Sequence, residues 1–185
     1  MKNLSQKISH TLKSLRQSKA WSLDVASQQT GVSKAMLGQI ERGESSPTIS
    51  TLWKIATGFE VSFSSFIENL DSSHLPLIHI NKSLKQLHPK DDKIRVMPLF
   101  PYEKSLKFEV FIIELLPKCE HLSPGHKKGV VEHIIVSSGE IEVMINNIWH
   151  PLKQQEGLRF NADQPHGYRN VKGKKAVFHN MIHYS

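Results

Sequence analysis

Residues 22–48 read SLDVASQQTGVSKAMLGQIERGESSPT, and their pattern decides the fold of the first half of the chain. Ser22 is a residue type that caps helix N-termini, and the segment it opens runs to Thr30, where Gly31 supplies a tight turn. Ser33 caps a second short segment, which places Leu37 and Ile40 on one side and stops at Gly43. Val32 and Ile40 can fill the space between the two segments, leaving Lys34, Ala35, Gly38 and Gln39 on the opposite face. On the N-terminal side, Ile8, Leu12 and Leu15 recur at helical spacing up to Ser18 and Lys19. On the C-terminal side, Ile49, Leu52, Ile55, Ala56 and Phe59 make one apolar stripe after Pro47 and Thr48. Phe63, Phe66, Ile67 and Leu70 suggest a fifth helix, so the expectation is a five-helix bundle over 1–71.

Two short helices around a glycine turn are an arrangement suited to reading duplex DNA. The first helix crosses the phosphate backbone, and the second presents a polar face small enough for the major groove. Lys34 can donate to guanine acceptors, and Gln39 can pair with adenine through both amide groups. Ser33, at the start of that helix, suits a phosphate drawn by the helix dipole. Ser22 and Arg42 are placed for backbone contacts at either end, with Ala35 and Gly38 completing the expected DNA face. The charge agrees: net +7 and a pI near 9.5 favour a polyanionic partner. Seven Lys and Arg fall between Met1 and Arg42, against only Asp24 and Glu41. Charge alone also fits a nonspecific nucleoid-associated protein, and the patterned second helix argues against that.

Beyond Asp71 the periodicity changes. A polar connector, assigned to 72–92, leads into short runs rich in β-branched and aromatic residues: Phe108 to Leu116, Val131 to Val136, Ile141 to Ile145 and Ala176 to Ile182. Ile141, Val143 and Ile145 alternate with Glu142 and Met144, the period of a half-buried strand. The expectation for 93–185 is a small antiparallel sandwich or barrel. The lone Cys119 can form neither an intramolecular disulfide nor a thiolate metal site, which fits a reducing cytoplasm. No stretch approaches the ~20 apolar residues that span a bilayer, so a cytoplasmic, membrane-free chain is expected, nucleoid-associated when bound to DNA.

The run GVSKAMLGQIERGESSPT resembles the phage-repressor-like (XRE) helix-turn-helix family over roughly Leu12 to Leu70. One departure is Ala26-Ser27, where the family usually presents Leu-Ala. The second half resembles the cupin domain often fused to such modules, through GHKKGVVEHIIVSSGEIEV and LRFNADQPHGYRN. The resemblance implies an α + β two-domain chain, a lambda-repressor-like bundle followed by an all-β double-stranded barrel. It also implies a homodimeric regulator on double-stranded operator DNA, of sulphur-utilisation or related metabolic genes, whose barrel dimerises or binds a small-molecule effector.

Metal-dependent cupins use a His-x-His pair, a glutamate and a later histidine. Aligned on Gly129 and Glu132, the pair falls at Gly125 and Lys127 and is missing, which leaves Glu132 and His166 as matching donors. A rearranged set with His126 is conceivable, yet two matching donors are too few for a stable catalytic site. The expectation is therefore no bound metal, no cofactor and no turnover, which disfavours the alternative of a cupin enzyme with an accessory DNA-binding domain. His126, Glu132, Arg159, His166 and Tyr168 are the residues expected to face an effector. With Lys127 and Lys128, Arg159 would favour an anionic one if all three face the cavity.

Overall fold

The structure, a computed structural model, describes residues 2–66 and 93–185. The chain divides into two compact units, Met1–Ile78 and His79–Ser185. The first opens with helix α1 (Lys2–Ser18), followed by α2 (Leu23–Thr30), α3 (Lys34–Glu41) and α4 (Ile49–Phe59). Each of the last three begins at a hydroxyl cap: Ser22 accepts from the Val25 amide, Ser33 from that of Met36 and Thr48 from that of Thr51. Gly31 closes α2 in the left-handed conformation (φ 65°), as the tight turn requires. Leu12, Leu37, Ile40, Leu52, Ile55, Phe59, Phe63 and Phe66 form the buried core. Ala26 is fully buried there too, whereas Val25 beside it is exposed and does not make up the smaller volume.

The expected five-helix count is corrected. Among the described residues four helices are followed by a single 3-10 turn, Phe63–Phe66. Ser62 hydrogen-bonds to Ser64 and Ser65 through its hydroxyl, a local alternative to helical pairing. Ile67, Leu70 and the connector assigned to 72–92 lie outside the described residues.

Among the described residues the second unit has nine strands: β1 (Ile94–Glu103), β2 (Phe108–Leu115), β3 (Cys119–Ser123), β4 (Val131–Ser138), β5 (Glu140–Ile145), β6 (Ile148–Lys153), β7 (Gly157–Asn161), β8 (His166–Asn170) and β9 (Ala176–His183). They form two antiparallel sheets, ordered β1-β2-β9-β4-β7 and β3-β8-β5-β6. Asn146 and Asn147, both with positive φ, make the two-residue turn between β5 and β6. Alternation sends Phe111, Ile113, Ile134, Val136, Ile141, Val143 and Phe178 into the interior, the core expected of two facing sheets.

Register then decides what lines one end of this interior. Glu132 on β4 stands opposite Ile182 on β9 and Phe160 on β7, while Ile134 one step along faces Asn180. In the other sheet Ser123 pairs with His166, and His121 with Tyr168. Polar inward residues of both sheets therefore gather at the same end.

Candidate DNA-binding face and barrel site

The recognition segment is held by the helices around it. Arg16 on α1 donates to both carboxylate oxygens of Glu41 on α3, at 2.6 and 2.9 Å, and to the Trp21 carbonyl at 2.9 Å. Burial opposes the Arg16 charge, but the Glu41 hydrogen bond is the larger effect, so its pKa is raised further. With α3 fixed in this way, Ser33, Lys34, Ala35, Gln39 and Arg42 are exposed along α3, and Ser22 is exposed at the start of α2.

Gly38 differs from the sequence expectation, for it is buried. A Cβ there would lie 3.1 Å from Arg42 Nη1, so the guanidinium one turn on covers it. Lys34 and Arg42 also have partners within the protein that the sequence reading missed. Lys34 Nζ lies 2.8 Å from Asp24 Oδ2, and Arg42 grips both Glu44 oxygens at 2.7 and 2.8 Å. The Arg42 hydrogen bond holds Glu44 below the usual carboxylate range. Both pairs are more than half exposed, and such pairs exchange readily for a phosphate or base edge.

In the second unit the structure brings together four of the five expected residues. His126 Nε2 lies 2.8 Å from Glu132 Oε1, and His166 Nε2 lies 3.3 Å from the same oxygen. The other carboxylate oxygen, Oε2, accepts from the Tyr168 hydroxyl and, at 3.0 Å, from Asn180 Nδ2. Burial pushes the Tyr168 phenol well up, and the Glu132 charge adds to it, so Tyr168 stays protonated as a donor. Burial alone would raise the Glu132 pKa. The hydrogen bonds and charges of His126 and His166 outweigh it and hold the group well below its usual range. For His166, burial opposes protonation, but Glu132 and the Gln164 carbonyl more than offset this and raise its pKa.

Three expectations about this region are corrected. Arg159 is exposed on the outer side of β7, because Phe160 next to it takes the inward position. Lys127 and Lys128 are also exposed, so the condition set for an anionic effector is not met by these side chains. The offset of the His-x-His alignment is one residue. A Cβ on Gly125 would fall 2.4 Å from the Asp163 carbonyl oxygen, so no side chain fits there, and His126 is the residue that reaches Glu132. Asn180 was not singled out from sequence, although its place between the inward-facing Phe178 and Ile182 marks it. Cys119 is a buried thiol at the start of β3.

These residues suit a divalent transition metal better than the donor count from sequence. His126, Glu132 and His166 each offer one donor atom, and the three atoms lie within 4.8 Å of one another. His166 Nδ1 must donate to the Gln164 carbonyl at 2.9 Å, which turns its Nε2 inward. That buried Nε2 has no well-formed hydrogen bond. Two imidazoles and one carboxylate form a donor set characteristic of open-sided transition-metal sites.

Comparison with known proteins is consistent in both halves. A helix-turn-helix family profile matches residues 12–66, and a cupin-domain profile matches residues 111–182. The chain is 45% identical over 184 residues to the HTH-type transcriptional regulator SutR of Escherichia coli (strain K12), covering 100% of this chain and 98% of that one. A crystal structure of an HTH_3 family transcriptional regulator from Vibrio cholerae superposes with a TM-score of 0.86 at 45% identity, covering 100% of this chain and 98% of that chain. The cupin domain of an XRE family transcriptional regulator from Enterobacter cloacae matches 51% of this chain, and 99% of its own, with 42% identity and a TM-score of 0.50.

Proposed function

From the premise that this chain belongs to the helix-turn-helix transcriptional regulators carrying a C-terminal cupin domain, we propose that it reads a specific operator through α3 as a homodimer. DNA binding and transcriptional regulation come with the family. The assignment of contacts is our own. The carrying observation is the exposed face of α3, with Lys34 and Gln39 beside the small Ala35, between the hydroxyl-capped starts of α2 and α3 and the Arg42 guanidinium. Capped N-termini offer amides and a positive dipole end to phosphates, which sets register, while the side chains between them reach base edges.

One eight-residue helix touches only a few base pairs. Useful specificity therefore needs a second copy, with half-sites about one helical turn (~10 bp) or a multiple apart. The cupin half serves as a dimer platform and effector site in a cytoplasmic, non-enzymatic regulator. Its polar cluster of His126, Glu132, His166 and Tyr168, beside buried apolar residues such as Phe160, Phe178 and Ile182, supports the effector role, since ligand pockets combine apolar walls with a few converging polar groups.

Binding of the full chain to operator and random duplexes over a salt series tests this reading. Gln39→Ala is expected to lose about 1–3 kcal/mol of discrimination at particular base pairs. Arg42→Ala is expected to weaken all sequences alike and lower the salt slope by about one. Equal losses on operator and random DNA for Gln39→Ala would overturn base reading by α3.

A further inference from the structure

We propose that Asp24 sets the discrimination between operator and bulk DNA: paired with Lys34, it leaves that lysine a directed donor to base edges while withholding its charge from phosphates. This deepens the operator reading above and rests on it.

Among the described residues the expected DNA face carries two cations, Lys34 and Arg42, and each is matched by an acid, Asp24 and Glu44. A chain of net charge +7 therefore turns toward DNA a reading face whose own charges cancel. Affinity for DNA of any sequence comes mainly from Lys and Arg displacing counterions at phosphates, so an acid beside each cation lowers it.

Asp24 is the second residue of α2 and Lys34 the first of α3, so the 2.8 Å hydrogen bond from Nζ to Oδ2 spans the glycine turn and joins two helix starts. Each start is the positive end of a helix dipole. That field favours the Asp24 charge in its place whether or not the lysine is beside it. At α3 the same field would add to an unpaired Lys34 and draw a phosphate regardless of sequence.

The two pairs differ in what they leave free. Arg42 commits Nε and Nη2 to the two Glu44 oxygens, at 2.8 and 2.7 Å. Lys34 gives Asp24 one hydrogen bond, and an ammonium has three N–H groups, so two remain for the O6 and N7 acceptors of a guanine. The Asp24–Lys34 pair has no net charge, which weakens it toward phosphates, while its remaining N–H groups are aimed by the carboxylate that anchors them. Asp24 is a positioning residue in this scheme, because it acts through Lys34.

The experiment measures binding of the full-length chain to two duplexes over a salt series, one enriched by the wild-type chain from a random pool and one of random sequence. On the random duplex Asp24→Asn is expected to steepen the slope of log K against log salt by about 0.9, which is a gain of roughly 5–10-fold near 0.1 M salt. The gain on the enriched duplex should be smaller, so the ratio of the two affinities falls, with preference lost at the same base pairs that Lys34→Ala affects. A folding defect would weaken both duplexes and is thereby told apart from the expected gain. In a Lys34→Ala background Asp24→Asn should raise both duplexes alike, since only the loss of a negative charge is left. Glu44→Gln, the same change of charge beside a backbone-contacting cation, should also raise both alike. An unchanged ratio in Asp24→Asn overturns the proposal, as does an equal fall in ratio in the Lys34→Ala background or in Glu44→Gln. A wild-type pool that stays unenriched fails the operator reading instead, and an unchanged salt slope of Asp24→Asn on random DNA overturns the role of Asp24 by itself.

Discussion

The Arg16–Glu41 pair holds the recognition helix to α1, and removing it is expected to cost the helical unit more than an ordinary surface ion pair would. The side chains retain 17% and 9% of their exposure, and the guanidinium makes three hydrogen bonds, two to Glu41 and one to the Trp21 carbonyl. Exposed pairs contribute about 0–1 kcal/mol, and breaking a buried pair costs about 3–5 kcal/mol. The residual exposure puts this pair below the upper limit, so Arg16→Met is expected to destabilise by about 2–4 kcal/mol, leaving a nearly buried carboxylate and a carbonyl without their donor. Glu41→Leu should cost a similar amount. The double variant should cost clearly less than the two together, with a coupling of roughly 1.5–3 kcal/mol, because apolar groups then meet apolar groups. Urea unfolding followed by tryptophan fluorescence in a Trp149→Phe background measures this. Trp21 and Trp53, both in the helical unit, are then the remaining reporters. A coupling under about 0.5 kcal/mol would show that the pair behaves as a solvated surface contact and would refute the reasoning.

Two further outcomes follow from close packing and from charge. Gly58 on α4 lies against α2 so tightly that a Cβ would come within 2.6 Å of the Gln29 carbonyl oxygen and Thr30 Cα, both backbone atoms. Gly58→Ala is therefore expected to cost about 1–3 kcal/mol and to weaken operator binding, and unchanged thermal unfolding would contradict that packing. In the barrel, burial pushes the Glu114 carboxyl up, but Lys175 and Arg95 more than offset this and lower its pKa. Its stabilising contribution is thus present above the unfolded carboxylate value of about 4.3 and is lost as pH falls through the lowered folded value. Glu114→Gln should flatten the acid limb of the barrel's stability curve, and an identical limb in both proteins would show that the pair contributes nothing.

The helical half was largely legible because its signals are local. Ser22 and Ser33 cap where the sequence reading put caps, Thr48 adds a third that it did not mark, and the 3.6-residue stripe of α4 is buried as read. The extra helix failed because Phe63 and Phe66 fit one 3-10 turn as well as a helix start, and neighbouring serines compete for hydrogen bonds. In the barrel, apolar strands such as β2 and β9 were visible, whereas β3, β7 and β8 are only five residues long, and β3 and β8 carry polar inward positions. Period-two alternation from Phe160 would have turned Arg159 outward. The role of His126 was less accessible. It depends on Gly125 packing against the Asp163 backbone, a contact across 38 residues that no spacing rule encodes.

The central claim, specific operator recognition by a dimer through α3, is tested most directly by selecting bound sequences from a pool of random duplexes with the full-length chain. The expected result is enrichment of one two-fold-symmetric site whose half-sites lie about 10 bp, or a multiple of it, apart. A pool that stays unenriched while binding falls steeply with salt would contradict the account, since counterion release alone would then explain the affinity.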